Sequence, residues 1–305
     1  MGKPVFGRVV TAVVTPFTAE GGIDYGAAEG LMYHLAQHGS DAAVIGATTG
    51  EGVTLSHEER LDLFRLWRGR APEGIKLIAN TGTNNTAQSV ELTRTAADLG
   101  MDGVMAVYPY YNKPNAEGQV RHFRAIAQAT KLPVMLYNVP SRTGGGMSLE
   151  AVLELSGVSN IVAIKEASGD LDFVSAIAVN AQDDFAIYSG DDTLTLPILA
   201  VGGVGVVSVA SHLVGERIQA MITAFVEGRV VEAARIHASL FGLCRAMFLA
   251  VNPIPVKTAL ALMGLIGEHF RLPLTPASNE VKNRLVSILN QHGLFPGIPG
   301  TVGRG

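Results

Sequence analysis

With one cysteine, Cys244, in 305 residues, the chain has no internal disulfide and no multi-cysteine metal site, a usage that fits a reducing cytoplasm. Cys244 lies among mostly apolar residues, so it reads as packing. No block of Lys or Arg occurs and the formal net charge is −4, which removes the electrostatic case for nucleic acid. The opening MGKPVFGRVV lacks a signal-peptide hydrophobic region, and Phe6 stands where a myristoylation motif needs Ser or Thr. Neither export nor a lipid anchor is expected, and the expected location is cytoplasmic. One uncharged run, Thr193 to Gly215, exceeds a membrane-spanning length, but Pro197 and Gly202-Gly203 break it into a short helix, a turn and a β-rich run. No membrane contact is expected. Aromatic residues make up only 6% and charged residues 16%, against 48% hydrophobic, which is the balance of a compact α/β protein with a sizeable core.

What the chain has in abundance is one repeating pattern: a short β-rich run, a polar or glycine-containing end, then a helix-like segment. Eight β-rich runs are present: Val9 to Thr15, Ala42 to Ala47, Lys76 to Asn80, Gly103 to Tyr108, Pro133 to Tyr137, Ile161 to Lys165, Ala186 to Ser189 and Val204 to Val209. Helical periodicity fills the intervals, with start signals such as Ser56-His57-Glu58-Glu59, a capping serine followed three residues later by a carboxylate. Strict alternation implies parallel strands joined by right-handed crossovers, and eight is the number that closes a (β/α)8 TIM barrel, with a doubly wound sheet as the competing architecture. After residue 228 the strand signals stop and helical segments follow near 229–249, 255–266 and 277–292. The expected organisation is therefore a catalytic barrel over 1–228, a C-terminal helical domain over 229–296 and a flexible glycine-rich tail over 297–305.

In such a barrel, reactive groups collect where strands end. The run Ile161-Val162-Ala163-Ile164-Lys165 places an amine at the end of an apolar strand. Burial disfavours the charged form and lowers the pKa, turning Lys165 into a nucleophile toward a carbonyl carbon. The competing readings are a Lys165–Glu166 contact or a lysine that reaches solvent from the strand end. An amine that attacks a ketone gives a Schiff base and then an enamine, and this chemistry needs proton carriers. Tyr137, Tyr111 and Thr48 stand at other strand ends. Tyr137 taken alone reads first as a strand-end aromatic with a wetted hydroxyl, and it is its convergence with the other strand-end groups that makes it a proton carrier. Thr48-Thr49-Gly50 can form a small anion nest or an ordinary turn. Arg142, between Pro140 and three glycines, reads as a bidentate carboxylate grip on a flexible loop, or as a surface salt bridge.

Other signals carry less. His57-Glu58-Glu59-Arg60-Leu61 lacks the second histidine of a zinc-hydrolase helix, and His34 and His38 read as a solvated helix face, so no metal site is expected. The glycine-rich run Gly202 to Gly205 occupies a usual phosphate position, yet no Lys or Arg lies between Lys165 and Arg217, which favours a carboxylate substrate over a phosphorylated one.

The segments VVTPF, TTGEGVTL, GTNNT, PYYNKP, YNVPSRTG, IKEASGD, SGDD, NPIPVK and RLPLTP occur in this order from about Gly7 to Leu294. In that set the chain resembles the 4-hydroxy-tetrahydrodipicolinate (dihydrodipicolinate) synthases, within the pyruvate-dependent class I aldolase and neuraminate lyase superfamily. The resemblance implies a lyase of lysine and diaminopimelate biosynthesis that condenses pyruvate with L-aspartate 4-semialdehyde, without a cofactor beyond a lysine imine. It implies that Lys165 forms the imine and that Thr48, Tyr137 and Tyr111 relay protons, Tyr111 reaching in from a neighbouring subunit. It further implies that Thr49 holds the pyruvate carboxylate, Arg142 holds that of the semialdehyde, and Gly190 and Val207 line the pocket through backbone atoms. The assembly implied is a homotetramer, a dimer of dimers. Ala47 and Asn80 replace glycines usual in this family. A lysine effector site, at positions corresponding to Gly52, Val53, His57, Arg60, Asn84, Gln88 and Tyr110, has degenerated: Gln88 stands where sensitive relatives carry Glu, and Arg60 is positive. The competing functions are a related aldolase, lyase or dehydratase acting on another pyruvate-derived keto acid such as a sugar acid, and a catalytically silent binding barrel. Arg142 argues against the first, and the retention of Lys165 and Tyr137 against the second.

Overall fold

A computed structural model of the chain describes residues 2–295; the expected flexible tail, 297–305, and the last residue of the expected helical domain, 296, lie outside the described residues. Eight parallel strands pair in chain order and close on themselves: β1 (Val9–Ala12), β2 (Ala42–Ile45), β3 (Lys76–Asn80), β4 (Gly103–Val107), β5 (Val134–Asn138), β6 (Ile161–Glu166), β7 (Ala186–Ser189) and β8 (Gly205–Ser208). The helices are α1 (Tyr25–Gln37), α2 (His57–Arg70), α3 (Thr86–Asp98), α4 (Ala116–Gln128), α5 (Pro140–Thr143), α6 (Leu149–Ser156), α7 (Leu171–Asn180), α8 (Thr195–Ala200), α9 (Ser211–Val226), α10 (Val230–Ala246), α11 (Ile254–Leu262) and α12 (Asn279–Gln291). The fold is the (β/α)8 barrel that the alternation predicts, and the Thr193 to Gly215 run is divided among α8, β8 and the start of α9. Among the described residues no helix is long and apolar enough to cross a membrane.

Side-chain alternation along the strands divides the core in two. Val10, Val44, Ile78, Met105, Met135, Ala163, Ala186 and Val207 point into the barrel and pack with Tyr137 and Tyr188. Val9, Ala43, Leu77, Val104, Leu136, Ile164, Ile187 and Val206 point outward against the helices. A two-residue period therefore sends Lys165, two after Ala163, into the barrel and Glu166 outward. The closing seam between β1 and β8 is pinned beyond the ladder by His212. Its Nε2 accepts from the Val14 N–H at 3.2 Å while its Nδ1 donates to the Val209 carbonyl at 2.8 Å, and burial lowers its pKa to about 4, so it is neutral.

Several strands are shorter than the β-rich runs. Residues 13–15, 46–47 and Tyr108 lie past the strand ends at the C-terminal rim, where the chain turns into the loops that form the site, although the Val13 and Tyr108 N–H groups still donate to the Val44 and Tyr137 carbonyls. The buried residues of α10, α11 and α12, among them Leu243, Leu260 and Leu285, join the same hydrophobic cluster as the barrel's outer layer, so the C-terminal helices share the barrel's core.

Candidate active site

Register brings the central pair together. Tyr137 on β5 and Lys165 on β6 are partners across the ladder, and the Lys165 Nζ lies 4.2 Å from the centroid of the Tyr137 ring. Glu166 turns away: its carboxylate accepts from the Asn138 Nδ2 at 2.8 Å and from the Ser168 N–H, so the expected alternative of a Lys165–Glu166 contact does not hold. Nor does the lysine reach solvent, since it is 5% exposed. Burial lowers its pKa to about 7, with Asp192 opposing that shift and the Arg142 guanidinium adding to it. A large fraction of the amine is then unprotonated near neutrality, which is the state a nucleophile needs. Asp192 is itself buried, its carboxylate held by the Ser208 hydroxyl and the N–H groups of Val209 and Ala210, both at 3.0 Å. Burial moves the Tyr137 phenol up to about 12, partly offset by Arg142 and by the Thr48 hydroxyl, so it remains a neutral donor and acceptor.

Beside this pair a cavity of about 250 Å³ is lined by Thr48, Tyr137, Val139 and Arg142 together with Gly52, Val53, Arg60, Asn80 and Tyr110. Lys165, Thr49, Gly190 and Val207 do not line it; Lys165 sits beneath Tyr137, and Val207 is buried within β8. Gly190 follows β7 and its N–H donates to the Glu166 carbonyl at 2.7 Å. A Cβ there would come within 2.5 Å of the Ala167 Cβ, so packing requires glycine.

The turn after β2 presents the threonines. The amides of Gly50 and Glu51 close it on the Ala47 and Thr48 carbonyls, which removes them from the expected anion nest. Among the described residues the Thr48 and Thr49 amides make no such bond. Glu51 adopts a left-handed φ of 50°, and its carboxylate accepts from the Lys257 ammonium at 2.6 Å, both side chains being fully buried. Arg142 sits on the helical turn α5 rather than on a flexible loop. Pro140 starts that turn, Gly144 ends it in left-handed geometry, and the Thr143 hydroxyl ties it to the Val139 and Gly145 carbonyls.

Tyr111 is 89% exposed, with a left-handed φ of 73°, and stands outside its own chain's cavity. Of the expected effector residues, Gly52, Val53, Arg60 and Tyr110 line the cavity; His57 and Gln88 are exposed, and Asn84 contributes its carbonyl to Asn112. The Arg60 guanidinium donates to the Asn80 carbonyl at 3.2 Å and to the Gly52 carbonyl at 2.6 Å. Asn80, at the glycine-replacing position, also donates from Nδ2 to the Gly46 carbonyl at 3.1 Å, tying the β3 end to the β2 turn. His34, expected on a solvated face, instead bonds through Nε2 to the His212 carbonyl at 2.9 Å. Two residues of the NPIPVK segment, Asn252 and Lys257, reach the threonine turn, although the segment suggests no chemistry by itself. Its one signal is a lysine among apolar residues.

Residues 5–292 match the profile of the Dihydrodipicolinate synthetase family. The chain is 53% identical over 292 residues to the 4-hydroxy-tetrahydrodipicolinate synthase of Synechocystis sp., covering 95% of this chain and 97% of that protein. It is 51% identical over 290 residues to the enzyme of the same name from Moorella thermoacetica, covering 95% of this chain and 99% of that one. Among solved structures, the dihydrodipicolinate synthase of Cyanidioschyzon merolae with lysine bound superposes with a TM-score of 0.94 at 48% identity, covering 96% of this chain and all of that one.

Proposed function

The chain belongs to the Dihydrodipicolinate synthetase family, and from that membership we propose that it is a lyase condensing pyruvate with L-aspartate 4-semialdehyde to 4-hydroxy-tetrahydrodipicolinate. The observation that carries the mechanism is the amine of Lys165, buried under Tyr137 and held partly unprotonated.

Lys165 Nζ attacks the pyruvate keto carbon, and the carbinolamine loses its oxygen as water to leave a protonated imine. The positive nitrogen withdraws electrons, so the methyl carbon gives up a proton and an enamine forms. That carbon attacks the semialdehyde carbonyl, whose oxygen takes a proton and becomes the ring hydroxyl. The amine of the semialdehyde then attacks the imine carbon, the Lys165 C–N bond breaks, and the cyclic imine leaves with the lysine regenerated. Tyr137, with Thr48 beside it, carries protons at the keto oxygen and the new hydroxyl. Tyr111 completes the relay from a neighbouring copy, which is why an 89% exposed tyrosine is assigned a catalytic role. Thr49 takes the pyruvate carboxylate and Arg142 the second carboxylate, while Gly190 and Val207 contribute backbone. The imine is the only electron sink this route needs, so no cofactor is called for. The assembly is a homotetramer working in the cytoplasm, and Gly52, Val53, His57, Arg60, Asn84, Gln88 and Tyr110 form a degenerate effector site.

Turnover of pyruvate with aspartate semialdehyde, set against pyruvate release from a panel of sugar acids, tests this reading. Cyclic product from the semialdehyde and no cleavage of the sugar acids is expected; activity confined to the sugar acids would overturn it.

A further inference from the structure

Asn252 follows α10 and comes just before α11, and it is 7% exposed. Its Nδ2 donates to the Thr49 Oγ1 at 3.0 Å, and its main-chain carbonyl accepts from the Arg142 Nη2 at 3.3 Å. One residue of the C-terminal segment thus touches both side chains assigned to the two substrate carboxylates. The segment is anchored beside this contact: Lys257 on α11 is fully buried against Glu51, two residues beyond Thr49, and the Arg271 N–H donates to the other Glu51 oxygen at 3.2 Å.

A hydroxyl has one hydrogen and two acceptor lone pairs. With a Thr49 lone pair occupied by the Asn252 amide N–H, the Thr49 hydrogen is directed away from Asn252 and free to donate elsewhere. The Asn252 Oδ1 is buried and has no partner among the described residues.

We propose that Asn252 is a positioning residue for carboxylate recognition, fixing the Thr49 hydroxyl as a donor toward the keto-acid carboxylate and holding Arg142 for the second carboxylate. It rests on the assignment of Thr49 and Arg142 to those carboxylates, and it makes the C-terminal helices part of the active site.

The full-length protein with Asn252→Ala and Asn252→Asp tests it by steady-state kinetics, with trapping of pyruvate on Lys165 as a separate readout. For Asn252→Ala the KM for pyruvate rises about tenfold while kcat falls less than about threefold, the pattern of lost ground-state binding. Thr49→Val then adds much less in the Asn252→Ala background than alone, because both act through one hydroxyl. Asn252→Asp is close to isosteric and serves even where alanine leaves a hole. Ionised, it only accepts, captures the Thr49 hydrogen and repels the substrate carboxylate; protonated, it donates again. Its KM relative to wild type at the same pH therefore falls as pH is lowered. An unchanged KM for pyruvate, additive effects of Thr49→Val and Asn252→Ala, or a pH-independent ratio for Asn252→Asp would each overturn the proposal. So would a uniform loss of kcat and thermal stability in both variants. Wild-type protein that traps no pyruvate on Lys165 would instead overturn the functional reading beneath it.

Discussion

At the scale of single residues, the proposed chemistry depends on a lysine whose folded environment works against its charge. Its pKa of about 7 lies far below the ordinary 10.5, so the unfolded chain binds more protons at Lys165 than the folded chain between those two values. Stability therefore rises with pH through that window, and the full penalty is present at and below pH 7. Replacing the residue by methionine removes the penalty along with the nucleophile. Lys165→Met should gain roughly 2–4 kcal/mol at pH 7 in denaturant titration, a gain that fades toward pH 10.5, while turnover is lost. The rate of imine formation in wild type should climb through an apparent pKa near 7, as the free amine fraction rises. Lys165 and Tyr137 were legible in the sequence because an amine and a phenol ending apolar runs stand out locally. Asn252 was not, since its partner Thr49 lies 203 residues away and asparagine before proline has no chemical signature of its own. Arg60 was legible as a charge, and it lines the cavity with Tyr110, its guanidinium donating to the Asn80 and Gly52 carbonyls; if a lysine effector binds there, it meets a cation. Half-inhibition by lysine should require more than millimolar concentration, which a dose–response assay at saturating pyruvate checks.

At the scale of elements, the sequence marks the strands well and their outer ends poorly. Runs such as Lys76 to Asn80 and Ala186 to Ser189 match the observed strands, because β-branched and small apolar residues facing two cores have no other role. The runs ending at Thr15, Ala47 and Val209 overshoot: composition does not mark the point where an apolar chain leaves the ladder to build a rim. The helical turn α5 escaped for a related reason, three glycines outweighing the proline start that makes it helical. The turn carrying Thr48 and Thr49 owes its shape to a distant strut, the buried Lys257–Glu51 pair, with the Lys257 ammonium 4.3 Å from the Phe17 ring centroid. Removing one charge strands the other in a dry interior. Lys257→Met alone should cost on the order of 3–5 kcal/mol in denaturant titration, and the double variant Lys257→Met with Glu51→Gln substantially less, a coupling that a double-mutant cycle measures.

At the scale of the whole molecule, one described chain supplies every assigned group except the tyrosine that points outward. If Tyr111 serves a neighbour's site, two inactive variants complement each other. Lys165→Ala mixed with Tyr111→Phe after reversible dissociation should regain about a quarter of wild-type activity, since half of a random dimer population is mixed and one of its two sites is intact. Recovery absent from a mixture shown to exchange subunits would return Tyr111 to a surface role. The barrel itself was legible from eightfold alternation, whereas the sharing of one core between barrel and C-terminal helices was not, because contacts such as that of Leu285 join segments with no common periodicity. The most direct measurement for the account as a whole is borohydride reduction of the protein incubated with pyruvate, followed by peptide mapping. One reduced pyruvate adduct per chain, on the peptide containing Lys165 and forming faster as pH passes through 7, is the predicted result; an adduct on another lysine, or none at all, would contradict it.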